Sequence, residues 1–405
     1  MTKSTINKPL WVQPWGVLEG FAIALGLLLL AILLEFFMPI AQIPKPTFPK
    51  NAILLISFAV FLFIIKYVFR KSKIYRWFAS VYAAIPSIVL FLLVLIPMGV
   101  IPQFPQGSGV PGAFFNLLSS WIFLIPSFFL LFTLGVATLN RIFPFTIKNI
   151  VFSLNHLGLW LCFSAGLFGH SDKIEATVQV NPNEVVWYGT SSSGNHIELP
   201  IAIELQKFVA EFYQPRLALF GEKSFSANHD YDLTRSPEIK IDNLLVRIIS
   251  YLPKAYPMDS SYIDARGVPY AGPAAKVDVL DLSGNSIAQG WISNQTRITP
   301  EKSIYLPDGR LLRLLPAEPK YFGSNVKIYS KASSSVIQGT VEVNKPIRID
   351  GWWVYQYSYD NIAGTDSTYS SFKVVYDPWM TLVYIGFAMI LMGGIGMAII
   401  YSVKI

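Results

Sequence analysis

Long apolar runs recur along the chain, and they predict six membrane-spanning helices. A bilayer core about 30 Å thick takes roughly 20 helical residues. Residues 77–140 contain no charged side chain, and because this stretch is too long for one helix we divide it at the Gly- and Pro-containing segment 103–112. The predicted spans are residues 15–38, 52–69, 77–101, 113–139, 150–169 and 379–403.

A different pattern fills residues 170–377, where short runs alternate between apolar and polar positions. This alternation predicts an antiparallel sheet or sandwich, because successive strand residues face opposite sides. One stretch, residues 201–213, is predicted as a strand that leads into a short helix. The alternating runs are residues 176–180, 276–282, 310–315 and 325–330, and turn-forming residues lie at 191–195, 283–285 and 307–310.

Together the two patterns predict a multi-pass α-helical membrane protein of six spans, with a large mainly-β extracytoplasmic domain between spans five and six. The N-terminal membrane domain, with five transmembrane helices, is predicted at residues 1–169. The extracytoplasmic β-rich domain follows at residues 170–377. A C-terminal transmembrane helix completes the chain at residues 378–405.

Composition and charge agree with a membrane protein. The chain is 53% hydrophobic and 14% charged, whereas a soluble domain averages about 25% charged residues, so a purely soluble or disordered chain is excluded. Residues 1–169 hold 11 basic and 2 acidic residues, and the basic ones crowd residues 70–76 and 141–148. Because Lys and Arg in short loops favour the cytoplasmic side, both termini are expected in the cytoplasm and residues 170–377 outside it. The bilayer accounts for the positive charge, and no nucleic-acid partner is expected.

Few residue patterns in the chain suit catalysis or metal binding. A single cysteine, Cys162, excludes an internal disulfide and a cysteine-cluster metal site. The four histidines show no metal-ligand spacing, and the usual nucleotide-binding and hydrolase motifs are missing from the sequence. We therefore expect a protein that is not catalytic alone.

His156 is the residue that most suggests a function, because it lies inside the fifth predicted span. It is eight residues from Lys148, about 12 Å along a helix, and fourteen from His170, about 21 Å. An ionisable residue at this depth is costly, and neutral imidazole is a good iron ligand. Phe152 and Trp160 share its helical face and could hold a flat aromatic ring system. Iron ligation, a proton relay and hydrogen bonding to a neighbouring helix all stay open, and His170, at the outer membrane boundary, is a further candidate.

Residues 338–360 closely resemble the ResB family of cytochrome c biogenesis proteins. Residues 155–160 and 208–213 are also similar to that family, and residues 14–21 look like the Bacteroidetes-type versions fused to ResC. The resemblance covers most of the chain from about 150 to 402. The matching core is Val343, Asn344, Pro346, Gly351, Tyr355, Gln356, Ser358 and Tyr359.

The resemblance implies haem delivery in the System II pathway. In that family, ResB works with ResC in the bacterial cytoplasmic (inner) membrane to export haem and attach it to apocytochrome c. It implies haem b as a transient cargo, and a ResC-like haem-handling membrane protein and apocytochrome c as partners. Residues 170–377 would then be periplasmic. His156 would be an axial ligand of the haem iron, Phe152 and Trp160 would pack against the haem, and His170 would be an alternative second ligand.

The sequence departs from the family pattern in two ways. Five spans precede the β-rich segment, where many ResB proteins have three, and Trp352-Trp353 is followed by Val354 where the haem motif of ResC has Asp. The chain is therefore expected to act with a separate ResC-like chain, and only that complex would be a cytochrome c synthase. The alternative function is a membrane-anchored scaffold whose outer β domain binds envelope proteins without haem. A six-span transporter is disfavoured, because the spans carry few polar groups and show no internal repeat.

Overall fold

A computed structural model describes residues 11–40, 45–104, 112–221, 227–233 and 237–402. Within these ranges, six helices are long and apolar enough to cross a membrane, which confirms the predicted number and order of spans. A short seventh helix, α3, lies between the second and third of them. The helices are α1 (Val17–Phe37), α2 (Lys50–Phe69), α3 (Lys73–Phe78), α4 (Val81–Val100), α5 (Trp121–Arg141), α6 (Ile147–Gly169) and α7 (Met380–Ser402).

The third span begins later than predicted. It was expected from residue 77, but α3 ends at Phe78 and α4 begins only after Ser80. The Ser80 hydroxyl accepts a hydrogen bond from the N–H of Tyr82 at 3.3 Å and so caps the first turn of α4. Apolar residues lie on both sides of this cap, and for that reason hydropathy does not mark the boundary.

The fourth span also begins later than predicted. Residues 113–119 form two short 3₁₀ turns, and α5 begins after Ser120, whose hydroxyl accepts a hydrogen bond from the N–H of Phe123 at 3.3 Å. The predicted break at 103–112 falls mostly on residues 105–111, which lie outside the described residues, as do residues 1–10 and 403–405 at the chain ends.

Helices α6 and α7 pack closely, because glycines lie along their contact. A Cβ on Gly158 would be 2.6 Å from the carbonyl oxygen of Gly386, and a Cβ on Gly393 would be 2.4 Å from the backbone nitrogen of Asn155. The Asn155 amide donates a hydrogen bond to the carbonyl of Ile390 at 3.1 Å. Small residues therefore allow the two backbones to meet, and interhelical hydrogen bonds from Asn155 and from the Cys162 thiol to the carbonyl of Val383 fix their register.

Asp172, just beyond α6, joins the ends of three helices. Its carboxylate accepts hydrogen bonds from the N–H of Phe48 at 2.8 Å, the Asn51 amide at 2.7 Å and the Trp379 indole at 2.6 Å. The fully buried Asn51 amide also donates to the carbonyl of Phe168 at 2.9 Å. The start of α2, the end of α6 and the start of α7 are thereby held together.

The strands form three antiparallel sheets. An eight-stranded sheet has the order β14-β13-β3-β2-β1-β17-β16-β15, a second has the order β10-β9-β7-β6 with β8 paired to β7, and a third has the order β11-β12-β4-β5. The predicted turns connect β2 to β3, β9 to β10 and β11 to β12. The strands are β1 (Ile174–Val180), β2 (Val185–Ser191), β3 (His196–Phe212), β4 (Arg216–Phe220), β5 (Ala227–Asp232), β6 (Glu238–Ile241), β7 (Leu244–Met258), β8 (Ser261–Asp264), β9 (Gly272–Leu280), β10 (Ser286–Ser293), β11 (Ile304–Tyr305), β12 (Leu311–Leu314), β13 (Pro319–Ser330), β14 (Val336–Glu342), β15 (Ile347–Ile349), β16 (Trp352–Tyr359) and β17 (Ser370–Tyr376).

The helix expected within residues 201–213 is absent, because β3 is one continuous strand through this segment. Large apolar side chains are buried at alternate positions from Leu199 to Leu205, and the small Ala202 between them is buried as well. The pairing with β13 then shifts register between Leu205 and Lys207, so the alternation is interrupted there. Because of this shift, the second half of the strand does not show the alternating pattern in the sequence. The helix prediction was wrong for that reason.

The second and third sheets share one hydrophobic core. Residues of β4, β6, β7, β9, β10 and β12 meet in one buried cluster that joins the two sheets, and a smaller cluster of Ala255, Tyr262 and Ala274 lies within the second sheet. By contact density, the chain divides into a helical unit and a strand unit, with boundaries after Ile174 and Val375 and with residues 192–194 grouped with the helices.

Candidate functional site

His156 is the tenth residue of α6, about 14 Å along the axis from the first. The helix is started by Thr146, whose hydroxyl accepts a hydrogen bond from the N–H of Asn149 at 3.3 Å. The His156 side chain is half-buried and lies inside a span of mean hydropathy 1.5. An imidazole is therefore held well within the apolar segment.

The orientation of the His156 ring is fixed by Phe152, one helical turn earlier. The Nδ1 of His156 lies 3.0 Å from the carbonyl oxygen of Phe152, and the two rings stack with centroids 3.7 Å apart at an angle of 25°. Because a carbonyl can only accept, Nδ1 must donate, which leaves the lone pair of Nε2 available. Among the described residues, no hydrogen bond engages Nε2. This tautomer and this restraint are typical of metal-binding histidines.

Arg141, the last residue of α5, also contacts the Phe152 ring. Its guanidinium carbon lies 4.3 Å from the ring centroid, and the side chain is exposed. A cation, an aromatic ring and an imidazole are thus assembled from two helices that only a five-residue loop separates. From the sequence, Arg141 is one of the basic loop residues at 141–148, and nothing in its position connects it with His156.

Further cations and aromatic rings lie at the same end of the helices. The Lys66 ammonium donates a hydrogen bond to the carbonyl of Leu139 at the end of α5, and it lies 5.1 Å from the centroid of the Phe143 ring. Phe143 and Phe145 contact each other with centroids 4.4 Å apart. This end of the helices is therefore basic and aromatic.

Trp160, the other predicted packing residue, points into the helical core. Its ring stacks on Phe58 of α2 with centroids 6.3 Å apart and an angle of 7°, and it belongs to a cluster around Leu62 and Val136. In the described part of the chain, no ring contact joins Trp160 to His156. The structure therefore brings Phe152 to His156 and directs Trp160 toward α2 and α5.

Several buried polar atoms near this core have no hydrogen-bond partner among the described residues. They include the Tyr75 hydroxyl and the Trp160 indole nitrogen, whose side chains share one apolar cluster, and the hydroxyls of Ser153 and Ser164 on α6. Burial raises the pKa of the Tyr75 phenol, so it stays protonated and able to donate. Unpaired buried donors are rare in proteins, and sequence periodicity has no signal that identifies them.

His170 lies at the opposite end of α6, in the 3₁₀ turn His170–Asp172, and is exposed. Because α6 is continuous, fourteen residues separate it from His156 by about 21 Å. One iron atom cannot be ligated by both side chains at that distance. A second axial ligand beside His156 would therefore have to come from outside α6.

An apolar groove between α1, α2 and α5 lies on another side of the helical unit. Its cavity volume is about 480 Å³, and its described lining contains no histidine, cysteine, methionine or charged side chain. The groove therefore offers no ligand to a metal. The lining residues are Ile23, Leu27, Phe58, Phe78, Trp121, Leu124, Ile125, Phe128, Phe129 and Phe132.

In the strand unit, the conspicuous motif at residues 343–359 builds two turns around β15. Asn344 has φ of 63°, and the two residues between β15 and β16, Asp350 and Gly351, have φ of 45° and 86°. A two-residue hairpin with both residues in the left-handed region is the turn for which Asp-Gly is favoured. The Asn and Gly of the motif are thus explained by backbone geometry.

The second half of the motif lies in the interior of the strand unit. The Gln356 amide oxygen accepts a hydrogen bond from the buried Ser324 hydroxyl at 2.7 Å, and its nitrogen donates to the buried Ser370 hydroxyl at 2.8 Å. Tyr359 packs between Phe208 and Phe322, each with a ring centroid 5.0 Å away. These residues fix strands to one another and form no catalytic group.

The other face of β16 presents a row of aromatic side chains flanked by cations. Tyr355 and Tyr357 are exposed, and Trp353 is partly exposed. The Arg348 guanidinium lies 5.2 Å from the Trp353 ring centroid, and the Lys373 ammonium lies 5.9 Å from that of Tyr357. Aromatic residues and Arg are enriched at protein interfaces, so this face has the composition of a contact surface.

The described residues contain no group of three or more His, Cys, Asp or Glu side chains that could hold a metal ion. In comparisons with known proteins, the model of the ResB-like family matches residues 305–368, which confirms the resemblance drawn from the motif at 343–359. No curated protein matches the chain.

Proposed function

We propose that this chain, which carries a ResB-like region at residues 305–368, handles haem during cytochrome c maturation. The family match supports a role related to cytochrome c biogenesis. The observation that carries the finer proposal is His156, an imidazole inside an apolar helix whose Nδ1 is engaged by its own backbone and whose Nε2 is available.

Haem is the cargo in this proposal, and the chain contributes one axial ligand. The porphyrin is flat and apolar and fits an apolar path, whereas its iron takes an axial ligand such as an imidazole nitrogen. Phe152 supports the imidazole and offers an aromatic edge beside it. Trp160 remains a candidate for porphyrin packing only if the ring reaches the α2–α6 contact.

A ResC-like membrane protein is proposed as the partner, because His156 lacks a second ligand within reach on α6. His170, about 21 Å away along the helix, is proposed as a separate haem ligand at the opposite end of α6. The chain would not be catalytic alone, and attachment of haem b to apocytochrome c would belong to the complex.

The proposed location is the bacterial inner membrane, with the termini in the cytoplasm. Lys and Arg concentrate at the end of the helices that includes residues 66–76 and 141–148, and such residues favour the cytoplasmic side. Residues 170–377 would then be periplasmic, where the aromatic face of β16 could contact a protein partner. A scaffold without haem is the second candidate, and that aromatic face is the observation that favours it.

The proposal is tested by cytochrome maturation in cells. The chain is expressed with a ResC-like partner and a CxxCH-containing apocytochrome in a bacterium that lacks its own maturation system, and covalent haem is measured by in-gel haem staining. His156→Gln should reduce the yield at least tenfold, because even the loss of a residue that only orients a metal ligand costs about 10- to 100-fold in affinity or activity. The His196→Gln variant, which removes an exposed imidazole at the start of β3, serves as the matched control.

Two results would contradict the haem assignment. If His156→Gln supports wild-type yield while deletion of the chain abolishes it, the scaffold function is favoured. If deletion of the chain leaves the yield unchanged, a role in this pathway is wrong.

A further inference from the structure

We infer that Arg141 is the anion-binding part of the His156 site and that it binds a carboxylate of the ligand whose iron is held by His156. The inference rests on the proposed function, because it takes the ligand to be an iron porphyrin with carboxylate side chains. It adds a second recognition element to the site, one that neither the family match nor the motif at residues 343–359 contains.

The geometry places the two side chains within reach of one ligand. Both contact the Phe152 ring, with the guanidinium carbon 4.3 Å and the imidazole centroid 3.7 Å from its centroid. The guanidinium and the imidazole are therefore no more than about 8 Å apart, the sum of these two distances. Arg141 ends α5, whereas His156 lies inside α6, so the cation is near the helix ends and the imidazole is deeper.

Arg141 has no carboxylate partner among the described residues. The two acidic residues of the first span are engaged elsewhere, since Glu19 accepts from the N–H of Gly16 at 2.7 Å and Glu35 accepts from the N–H of Trp121 at 2.8 Å. The guanidinium is exposed but is positioned by the aromatic ring beneath it. A planar guanidinium with unused donors matches a carboxylate in a two-point hydrogen bond.

This arrangement corresponds to the amphipathic character of an iron porphyrin. The metal lies at the centre of an apolar ring, and the carboxylates lie at one edge. With the iron at His156, the ring would lie along the apolar segment of α6, and the carboxylate edge would reach the helix ends where Arg141 lies. The pair would therefore select both the ligand and the direction in which it enters.

The experiment compares ferric haem, which carries two charged carboxylates, with its dimethyl ester, in which both are neutral methyl esters. The full-length protein, purified in detergent micelles with its ResC-like partner, is titrated with each, and the Soret absorbance gives the two dissociation constants. Wild type should bind the free acid about tenfold more tightly than the ester. Arg141→Gln should bind both equally, and Arg141→Lys should keep part of the preference. Arg76→Gln, which removes another exposed cation at this end of the helices, should retain the full preference.

The outcomes separate this inference from the proposed function. An acid-to-ester preference that is the same in wild type and Arg141→Gln would overturn the role of Arg141, while a Soret change in His156→Ala would leave the proposed function standing. Spectra that do not respond to His156→Ala, or a wild type that binds neither ligand, would overturn both.

Discussion

His156 is oriented by its own helix. The Nδ1 bond to the Phe152 carbonyl and the stacked ring both come from one turn earlier, so the direction of Nε2 is set before any other helix packs. This contact was predictable, because residues four apart share a helical face. Trp160 is equally spaced, yet it turns toward Phe58, because Gly135 on α5 leaves room for its indole. Sequence spacing shows which residues share a face, but the neighbouring helices decide which of them meet.

Arg141 could not be assigned to the site from the sequence. It is fifteen residues from His156 and belongs to a different helix. Only the path of residues 142–146 returns the chain so that the guanidinium covers Phe152. The positive-inside pattern already accounts for the charge of Arg141. The charge therefore does not indicate that Arg141 also contacts Phe152.

Asp350 shows how the motif at residues 343–359 contributes to stability. Its carboxylate accepts hydrogen bonds from the hydroxyls of Ser330 at 2.5 Å and Ser333 at 2.6 Å, and these bonds lower its pKa. A carboxyl whose pKa is lower in the folded state adds stability above its unfolded pKa of about 3.9, and this stability is lost as the pH falls through the folded pKa.

We therefore predict that Asp350→Asn lowers the melting temperature at pH 7 and that the difference from wild type narrows below about pH 4. Asparagine tolerates the left-handed φ of 45° at this position, so the substitution tests the charge and not the turn. Thermal unfolding of the detergent-solubilised protein at several pH values measures it. A difference that is constant or widens toward low pH would contradict the prediction.

At the scale of elements, hydropathy identified the six spans and period-two alternation identified the strands. The errors fell where polar caps or register shifts interrupt a uniform pattern, as at Ser80, at Ser120 and between Leu205 and Lys207. A serine in an apolar run is weak evidence in a sequence, yet its hydroxyl marks the start of a helix by accepting a hydrogen bond from a free N–H of the first turn. The boundary of a helix depends on such single hydrogen bonds, whereas the existence of a membrane span depends on the combined hydropathy of about twenty side chains.

The contact between α6 and α7 provides a matched pair of glycines on one helix. A Cβ on Gly158 would meet the backbone of Gly386 at 2.6 Å, whereas nothing lies within 4 Å of a Cβ on Gly166. Gly158→Ala should therefore destabilise the protein by about 1–3 kcal/mol through overpacking. Gly166→Ala should be neutral or stabilise it by up to about 1 kcal/mol through helix propensity.

The two variants are compared by thermal unfolding, followed by helical circular dichroism in the same detergent. Equal melting temperatures for Gly158→Ala and Gly166→Ala would show that the close approach of α6 and α7 does not limit stability. Because His156 lies two residues before Gly158, the Soret titration of Gly158→Ala also reports whether this packing supports the site.

At the scale of the whole molecule, the proposed function depends on which side of the membrane the loops and the strand unit occupy. The charges of the short loops favour the cytoplasmic side for residues 70–76, and we therefore propose that residues 170–377 lie outside the cytoplasm. Cysteine labelling tests this directly in a Cys162→Ala background. Ser283→Cys, in an exposed turn between β9 and β10, should react with a membrane-impermeant maleimide in intact spheroplasts. Lys71→Cys should react only after the membrane is disrupted.

Labelling of Lys71→Cys in intact spheroplasts, with Ser283→Cys protected, would reverse the topology. The basic end of the helices would then face outward, and haem would have to enter the His156 region from the other side. The fold would be unaffected by that result, but the proposed direction of transport would be wrong.

The central claim is that the imidazole of His156 binds haem iron, and substitution with chemical rescue tests it most directly. The protein is purified with its ResC-like partner as wild type and as His156→Gly, and absorption spectra are recorded with and without added imidazole. If the His156 imidazole binds the iron, wild type should show a Soret band, and His156→Gly should lose or shift it. Free imidazole should restore the band by filling the place of the missing side chain. A His156→Gly spectrum identical to wild type before imidazole is added would contradict the claim.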